Sequence, residues 1–557
     1  MMLNQEQIEK SYLCWCEKAV LDPDLSAELS AMEHTPERIE DAFFDDLAFG
    51  TGGLRGVIGA GTRRMNIYTV ARATVGLADY LADSYSAKTA VAIGYDTRIK
   101  SREFAEIAAR VLAARGITVW IYDRPLPTPM LSFAVRALHA QAGIMITASH
   151  NPAVYNGYKV YGEDGCQITT AAADAITERI NARDYFDCIP SESYEIMTVP
   201  DAVYTEFLDT VSGLSLLYGD AIDRNVSVVY TPLCGTGLEP VTDILKKNGF
   251  ESVTLVSEQA KHDGNFPTCP FPNPELPEAM QLGLSYAERV SAELLLATDP
   301  DCDRVGVAVR TPDGYRLLTG NEVGVLLLDY ICTQREKHGR MPKDPVCIKT
   351  IVTTDLAEAI ARDHGVTVDN VLTGFKFIGE KIGGLEARGE LSRYLFGFEE
   401  SCGYLSSPHA RDKDGVNAAY LIVEMAGVLK ARGESVHSRL CAIYEKYGYT
   451  QNTLWSYYFE GASGIDKMNG IMHAFRTQVK AFGGRAVTTL LDYEKGLDGL
   501  PKSDVLKFFF DGGSIVVRPS GTEPKLKIYI SVSAESERAA QEKTDAIRRD
   551  AEAIMNA

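Results

Sequence analysis

The stretch AGIMITASHNPAVYNGYKVY, residues 142–161, decides how the first part of the chain folds. Its apolar segment 143–148 predicts a buried strand that delivers Ser149 and His150 onto an Asn-Pro loop, and a second short strand then carries Lys159. A serine hydroxyl at the end of a strand, with an imidazole and an ammonium group nearby, can carry a transferred group covalently. A capping serine beside a solvated histidine would explain the same residues.

Helix and strand patterns alternate around this stretch. Residues 91–98 predict a buried strand that ends in a polar loop, and residues 101–115 predict an amphipathic helix stopped by a glycine. This alternation predicts a mainly parallel sheet, in which loops at the carboxyl ends of the strands bind ligands. We therefore expect Asp96, Arg98 and Ser149 at one edge of the sheet.

The order of strand, polar loop and strand recurs twice along the chain, and the tail from about residue 449 instead predicts antiparallel strands and a helix. We predict an α/β fold with three consecutive related α/β domains, whose sheets are mixed and mainly parallel, plus a C-terminal α+β domain, arranged around a central cleft. The predicted boundaries are 1–205 with an N-terminal helical extension, 206–318, 319–445 and 446–557.

Composition excludes several classes of protein. The 557 residues exceed what one hydrophobic core holds, and the net charge of −20 without a basic run argues against a nucleic-acid partner. No stretch approaches the roughly 18 apolar residues that span a bilayer, and the first residues are polar, so we expect a cytoplasmic protein with no membrane partner. The eleven cysteines are scattered, mostly in apolar runs, which predicts reduced thiols.

Three aspartates alternate in the segment DPDCDR, residues 299–304. On an extended loop this spacing puts Asp299, Asp301 and Asp303 on one side, where their charges repel unless a cation compensates. Hard oxygen ligands favour Mg²⁺. A solvated acidic loop is the alternative, but the segment interrupts two strongly apolar strands, so we predict a metal site.

Two glycine-containing loops could face an anion. The segment 518–524, RPSGTEP, supplies the Arg518 guanidinium, two hydroxyls and glycine-freed amides, a combination that suits a phosphate dianion, although a polar hairpin turn has the same composition. The segment 49–56 predicts a glycine-rich turn that presents Arg55, either to an anion or as a plain tight turn.

The third domain offers two further polar loops. The segment 374–381 resembles a P-loop but carries a glutamate where the lysine should be, so we predict a loop that offers Lys376. Glu399, Glu400 and Ser401 place acceptors and a hydroxyl on a loop, which suits sugar hydroxyls. Neighbouring glutamates cannot readily flank a scissile bond from opposite faces, which argues against a glycosidase.

Four of these motifs stand in order, one in each predicted domain: TASHNP (147–152), DPDCDR (299–304), GFEES (397–401) and RPSGTEP (518–524). With them the chain resembles the α-D-phosphohexomutase superfamily, and most closely its phosphoglucomutase branch. The resemblance covers nearly the whole chain, and four ordered motifs make chance agreement very improbable.

The resemblance implies an enzyme of the isomerase class, an intramolecular phosphotransferase that interconverts α-D-glucose 1-phosphate and glucose 6-phosphate. It implies that Ser149 is phosphorylated in the active enzyme and that a phosphoserine oxygen binds Mg²⁺ together with Asp299, Asp301 and Asp303. Glucose 1,6-bisphosphate is the implied intermediate and activator. By the same resemblance the substrate contacts are Arg304, Thr373, Gly374, Lys376, Glu399, Ser401, Arg518, Ser520, Gly521 and Thr522.

Proton transfer is the part that the resemblance leaves open. The catalytic residues that it suggests beside Ser149 are His150, Lys159, Arg55 and Lys413, and Lys413 resembles a lysine of the glucose-specific branch. The bacterial phosphomannomutase/phosphoglucomutase pattern carries a histidine shortly after the serine of the sugar loop, where this chain has Cys-Gly-Tyr at 402–404. The general base is therefore not assigned.

Several alternatives remain at this stage. Within the superfamily, mannose, glucosamine or pentose phosphates could be the substrate, which would make the chain a phosphomannomutase or phosphopentomutase. A phosphatase with Asp299 as nucleophile would not explain the Ser149 loop, and a catalytically silent sugar-phosphate-binding protein would not explain the catalytic residue types. We expect a phosphosugar as the partner, and a monomer or a homodimer.

Overall fold

The computed structural model describes residues 4–50, 52–459, 463–497, 499–519 and 525–556. They pack as two bodies. The first holds the described residues up to 318 together with 379–391 and 402–428, and the second holds 319–378, 392–401 and the described residues from 429 onward. Among the helices of these residues, none has both the length and the apolar character needed to cross a bilayer.

The first body begins with three helices, α1 (Gln5–Lys18), α2 (Pro23–Met32) and α3 (Pro36–Phe43). The sequence predicts the starts of α2 and α3 from an Asp-Pro and a Thr-Pro pair, and both predictions are confirmed. The ring of Trp15 on α1 lies edge-on to Tyr68 and Phe186, with centroids 5.5 and 5.4 Å away. The helical extension is thus part of the core of the domain that follows.

That domain is built on a six-stranded mixed sheet. Its elements are β1 (Gly53–Val57), α4 (Ile67–Ser84), β2 (Ala90–Tyr95), α5 (Ser101–Ala114), β3 (Thr118–Ile121), α6 (Thr128–Ala137), β4 (Ala142–Ile146), β5 (Tyr155–Gly162), α7 (Thr170–Asn181) and β6 (Met197–Thr198). The strand order is β1-β5-β4-β2-β3-β6. Strands β4, β2, β3 and β6 are parallel to one another, whereas β5 is antiparallel to both of its neighbours, β4 and β1. Strand β5 carries Lys159, as predicted, and also contains Asn156 and Gly157.

The second sheet of the first body has five strands. Its elements are α8 (Asp201–Ser212), β7 (Val228–Thr231), α9 (Leu238–Lys247), β8 (Val253–Leu255), α10 (Pro277–Val290), β9 (Leu294–Thr298), β10 (Val305–Thr311) and β11 (Gly314–Leu318). The order β11-β10-β9-β7-β8 is parallel across β9, β7 and β8, and β10 and β11 are antiparallel. The aspartate segment connects β9 to β10.

The next part of the chain again alternates helices and strands. Its elements are α11 (Gly320–Lys337), β12 (Val346–Thr350), α12 (Leu356–Asp363), β13 (Thr367–Val371), α13 (Phe375–Ala387), β14 (Tyr394–Glu399), β15 (Gly403–Leu405), α14 (Gly415–Ala431) and α15 (Val436–Tyr447). Strand β12 pairs in parallel with β13 and with β14. The segment 374–381, predicted as a loop offering Lys376, instead forms about the first two turns of α13, so that prediction is wrong.

The C-terminal domain of the second body carries a six-stranded antiparallel sheet. Its elements are β16 (Tyr449–Tyr458), α16 (Ser463–Gln478), β17 (Ala481–Phe482), β18 (Arg485–Asp492), β19 (Leu506–Phe510), β20 (Gly513–Pro519), β21 (Lys525–Ala534) and α17 (Glu537–Asn556). One sheet face packs against α16 and α17 through residues such as Phe475, Ile515 and Ile547. The predicted α/β fold with a C-terminal α+β domain is confirmed.

Candidate active site

Ser149 lies on the loop after β4, at the carboxyl end of a central parallel strand. Its φ is 51°, a left-handed conformation that is uncommon outside glycine, and its amide donates to Thr147 Oγ1 at 2.8 Å. The buried Arg98 guanidinium donates to the Ser149 carbonyl at 2.5 Å and to that of Pro152 at 2.9 Å. Arg98 also pairs with the buried Asp96 at 3.3 Å, so the three residues meet at one sheet edge, as predicted.

The aspartate segment is a tight turn rather than the extended loop that its alternation predicts. Cys302 has φ of 50°, and Asp299 Oδ1 accepts from the amides of Asp303 and Arg304 at 3.1 and 3.0 Å. The turn still brings together the carboxylates of Asp299, Asp301 and Asp303, each buried, with one oxygen of each within 4.8 Å of the others. These carboxylates could hold a metal ion.

The Ser149 hydroxyl donates to Asp299 Oδ2 at 2.9 Å, although the two residues are 150 positions apart in the sequence. The Oδ1 atoms of Asp301 and Asp303 are buried and accept no hydrogen bond from any residue that the structure describes. Burial, followed by the charges of Asp301 and Asp303, raises the pKa of Asp299 well above its ordinary value. An all-oxygen donor set with buried, unused oxygens and excess negative charge fits a divalent cation such as Mg²⁺.

Two lysines lie against the aspartates from separate elements. Lys159 on β5 donates to Asp301 Oδ2 at 2.9 Å and lies 3.6 Å from Asp303 Oδ2. Lys413 Nζ lies 3.1 Å from Asp303 Oδ2. Although burial alone would raise the pKa of Asp301, Lys159 lowers it. The lysines thus neutralise part of the charge that the three aspartates concentrate.

Three residues that sequence reasoning did not single out hold Lys413 in place. Its Nζ also lies 3.1 Å from Asp412 Oδ1, and the buried Tyr161 hydroxyl donates to Asp412 Oδ2 at 2.8 Å. A Cβ atom on Gly403 would lie 2.0 Å from Lys413 Cδ, so the lysine stem occupies the space that a side chain at position 403 would take. No local sequence pattern signals these contacts.

His150 and Arg55 are both close to the serine loop. His150 Nδ1 lies 3.2 Å from Ser149 Oγ, and burial, then the charges of Arg304 and Arg55, lower the pKa of His150 to about 2. The ring is therefore neutral at neutral pH. Arg55 lies on strand β1 rather than in the predicted turn, and it donates to Asn151 Oδ1 at 3.3 Å.

Arg304, predicted to contact substrate, directly follows the aspartates. Its guanidinium forms an ion pair with Glu275, and its Nε lies 3.8 Å from Asp303 Oδ1. The first body therefore brings together Ser149, His150, Lys159, Arg55, Lys413, Arg304 and the three aspartates.

The predicted sugar-binding residues lie in the second body. Glu399 ends β14 and is buried, and its Oε1 accepts from the amide of Gly374 at 3.0 Å. Gly374 has φ of 119°, which favours glycine, and it follows Thr373 at the start of α13. Lys376 places its ammonium over the ring of Phe377, 5.0 Å from the centroid. Gly374 thus joins the Glu399 loop to this helix start.

The end of β20 carries Arg518, beside Tyr529 on β21. Burial and then the nearby Glu400 carboxylate raise the pKa of Tyr529, and Arg518, which hydrogen-bonds the phenol, opposes this. Ser401 follows Glu400 directly on the sugar loop. Three predicted phosphate-binding residues lie outside the described residues: Ser520, Gly521 and Thr522.

An α/β scaffold that sets a buried serine against a carboxylate cluster suited to a divalent cation defines an enzyme class that transfers phosphoryl groups. Family models described as phosphoglucomutase/phosphomannomutase match the chain in order: α/β/α domain I at 46–186, domain II at 204–314, domain III at 319–447 and the C-terminal domain at 460–549. The chain belongs to this phosphoglucomutase/phosphomannomutase family.

Individual relatives agree with this assignment. A phosphoglucomutase of Staphylococcus haemolyticus (strain JCSC1435) is 37% identical over 519 residues, covering 89% of this chain and 92% of the relative. A phosphoglucomutase of Staphylococcus aureus (strain USA300) is 38% identical over 541 residues, covering 92% and 96%. The solved structure of pp63/parafusin from Paramecium shares the fold, with a TM-score of 0.68 at 18% identity over 91% of this chain and 94% of that one.

Proposed function

We propose that this protein is a phosphoglucomutase that reversibly interconverts α-D-glucose 1-phosphate and glucose 6-phosphate. The hydrogen bond from Ser149 Oγ to Asp299 Oδ2 carries the proposal, because it places a nucleophile against a group that could hold a metal ion. The relatives at 37% and 38% identity, both named phosphoglucomutase, support the choice of reaction.

Ser149 is the proposed phosphoryl carrier. Its phosphoryl group passes to the free hydroxyl oxygen of the bound sugar monophosphate and that hydroxyl loses its proton. The bond from Ser149 Oγ to phosphorus breaks, and Ser149 Oγ takes up a proton to become a hydroxyl. The product of this step is glucose 1,6-bisphosphate. When the bisphosphate returns its other phosphoryl group to Ser149, the original phosphoserine is restored and the isomeric monophosphate is released.

Asp299, Asp301 and Asp303 would hold Mg²⁺ together with an oxygen of phosphorylated Ser149. When bound, the cation offsets repulsion between anionic groups and stabilises the charge that develops during transfer. Lys159 lies against two of the aspartates and keeps positive charge beside the carrier serine. The buried oxygens of Asp301 and Asp303 that accept no bond from described residues support this assignment.

Proton transfer to and from the sugar hydroxyl is assigned to Lys413, which accepts the hydroxyl proton as a neutral amine after its ammonium group has given a proton to the Asp412 carboxylate. Its ammonium group is held between Asp303 and Asp412, each 3.1 Å away, so its position is fixed by two carboxylates. His150 is neutral and lies 3.2 Å from Ser149 Oγ, which suits a hydrogen-bond partner of the carrier more than a source of positive charge. Arg55 and Arg304 supply further positive charge to the same body.

Substrate recognition is assigned to the second body. Glu399 and Ser401 would bind sugar hydroxyls, and Arg518 would bind the phosphate that is not reacting, because a guanidinium can donate two parallel hydrogen bonds to it. The other proposed substrate contacts of this body are Thr373, Gly374 and Lys376, at the start of α13. The segment 520–522 completes the proposed phosphate loop.

The decisive experiment is a coupled assay for glucose 6-phosphate formed from glucose 1-phosphate, with Mg²⁺ and a trace of glucose 1,6-bisphosphate. The wild type is compared with Ser149→Ala and with the control Ser30→Ala. Ser30 is exposed on α2, and its hydroxyl donates to the Ser26 carbonyl. We expect bisphosphate-dependent activity in the wild type and the control, and none in Ser149→Ala. Activity that survives in Ser149→Ala would refute the phosphoserine mechanism.

The family includes phosphomannomutases, so mannose 1-phosphate is the second substrate to test. A higher kcat/KM for mannose 1-phosphate than for glucose 1-phosphate would replace the glucose assignment. We keep the four domain boundaries, the cytoplasmic location, and the monomer or homodimer as predictions from the sequence.

A further inference from the structure

A cluster of charged and polar side chains, built around two buried lysines, lies at the carboxyl end of β12, in the second body. We call it the Asp355 cluster; it comprises Lys349, Asp355, Glu358, Lys507 and Ser514. Asp355 Oδ1 accepts from Lys507 Nζ at 2.9 Å, and Asp355 Oδ2 accepts from Ser514 Oγ at 2.6 Å. Lys349 Nζ lies 3.6 Å from Asp355 and 3.3 Å from Glu358. None of these residues belongs to the proposed catalytic or sugar-binding sets.

The cluster joins two parts of the chain that are far apart in sequence. Lys349 and Asp355 flank the loop after β12, whereas Lys507 and Ser514 lie on strands β19 and β20 of the antiparallel sheet. Lys507 also donates to the Ile351 carbonyl at 3.0 Å. Both lysines are almost completely buried, and a buried ammonium group is tolerated only with such partners.

The pairing of β19 with β20 shows that the Asp355 cluster contacts the strand that carries Arg518. Lys507 pairs with Val516, so Lys507, Ser514, Val516 and Arg518 share one face of the sheet, opposite the face that packs on α16 and α17. Ser514 and Arg518 are four residues apart on β20, about 13 Å along one strand. Because neighbours on both sides fix this strand, anchoring Ser514 also fixes where Arg518 lies.

The loop after β12, which receives these contacts, also contacts the sugar loop, by which we mean Glu399, Glu400 and Ser401. The hydroxyls of Thr350 and Thr353 each donate to Glu400 Oε2 at 3.2 Å, and Thr353 is two residues before Asp355. Glu400 lies between Glu399 and Ser401 in the sequence. One short loop therefore contacts the segment proposed to bind sugar hydroxyls on one side and the strand bearing Arg518 on the other.

We infer that the Asp355 cluster is a positioning device, in which Asp355, Lys507 and Ser514 set the place of the Arg518 phosphate contact relative to the Glu399 and Ser401 sugar contacts. The inference rests on the proposed function for the identity of the ligand. Loss of the cluster should weaken binding of both glucose 1-phosphate and glucose 6-phosphate, since each has one phosphate group and the same sugar ring. The chemical step on Ser149 should be spared.

The test compares Asp355→Asn, Lys507→Met and the double variant with the wild type. Calorimetric titration of glucose 6-phosphate should show binding weakened about tenfold in each single variant, and the double variant should be no worse than the weaker single one. Steady-state assays should show KM raised in both directions with kcat nearly unchanged. Lys507→Arg, which keeps the charge, should recover most of the affinity.

Two matched controls separate positioning from general damage. Ser514→Ala should weaken binding of glucose 6-phosphate, and Ser531→Ala, which removes a hydroxyl from the residue that pairs with Ser514 on the same sheet face, is its control. Lys543→Met removes an ammonium group that donates to the Ser533 carbonyl in the same domain, for comparison with Lys507→Met. Neither control should change the affinity for glucose 6-phosphate.

Hydrogen exchange measured on the same variants needs no ligand. Asp355→Asn and Lys507→Met should speed exchange of the amides in residues 351–355 and in β20, while the controls leave it unchanged. Unchanged affinity and exchange in both variants would overturn the inference, as would equal losses in the controls. A wild type that binds and turns over no glucose phosphate would refute the proposed function, while the exchange measurement would still decide the role of the cluster.

Discussion

The variant Gly403→Ala, which adds a methyl group next to Lys413, tests whether Lys413 is needed for phosphoryl transfer. A Cβ on Gly403 would lie 2.0 Å from Lys413 Cδ and 2.7 Å from its Cγ. Since non-bonded carbon atoms keep about 3.5 Å apart, Gly403→Ala must push the lysine stem by roughly 1.5 Å. The ammonium group would then leave Asp303 and Asp412, which are both 3.1 Å away in the wild type.

The displacement has separate effects on stability and on rate. Removing one partner of a buried ion pair costs about 3–5 kcal/mol, but Lys159 stays near Asp303, so we expect a loss of about 2 kcal/mol in the free energy of unfolding. If Lys413 transfers the proton of the sugar hydroxyl, kcat should fall by about 10²- to 10⁴-fold. The affinity for glucose 6-phosphate should fall less than kcat, because Glu399 and Ser401 keep the proposed sugar contacts.

The assay measures kcat and KM in both directions for Gly403→Ala, together with urea unfolding. Gly470→Ala is the control, because a Cβ at that helical position meets no atom within 4 Å. Lys413→Met should lower kcat to the same degree as Gly403→Ala. A folded Gly403→Ala variant that keeps the kcat of the wild type would refute the role of Lys413.

Three further predictions concern charge. Asp301→Asn should raise the Mg²⁺ concentration for half-maximal activity at least about tenfold, and an unchanged Mg²⁺ dependence would argue against the metal site. Because burial lowers the pKa of His150 to about 2, its ring should show no NMR titration between about pH 5 and 8, and a midpoint near 6.5 would contradict the structure. Against burial, Lys507 and Lys349 lower the pKa of Asp355 from 3.8 to about 2. Its contribution of about 2 kcal/mol should be complete above about pH 4 and lost toward pH 2, so urea unfolding of wild type and Asp355→Asn should differ less at about pH 3 than at pH 5.

Local sequence patterns predicted much of the fold, because the positions of helices and strands depend largely on residues that are close together in the sequence. Apolar runs located the strands that precede Ser149 and Asp299, and Asp-Pro and Thr-Pro pairs located two helix starts. The three aspartates could be grouped because one turn carries them all. The bond from Ser149 to Asp299 and the pairing of Lys159 with Asp301 span 150 and 142 positions, so no local rule could supply them.

Two of the predictions that the structure contradicts share one cause, the weight given to glycine. Arg55 lies among glycines, yet its segment is an edge strand because it pairs with β5, which local reasoning could not see. Helix α13 contains three glycines, but Phe375, Ile378, Ile382 and Leu385 are buried at helical spacing. That apolar period was present in the sequence, and it outweighs the cost of about 1 kcal/mol for each helical glycine.

The balance of charges around Ser149 is consistent with the proposal that this acidic chain binds an anionic phosphosugar. Around Ser149, four carboxylates, including Asp412, lie beside the ammonium groups of Lys159 and Lys413. Arg304, which lies 3.8 Å from Asp303, is shared with Glu275, so the carboxylates outnumber these cationic groups. Burial raises the pKa of Asp299, and the charges of Asp301 and Asp303 raise it further, because a proton is one way to relieve that excess. A divalent cation is the other, and it leaves the serine oxygen free to carry a phosphoryl group. The net charge of −20 is therefore compatible with the proposed reaction, since a bound metal ion and a few buried lysines and arginines would decide the local potential.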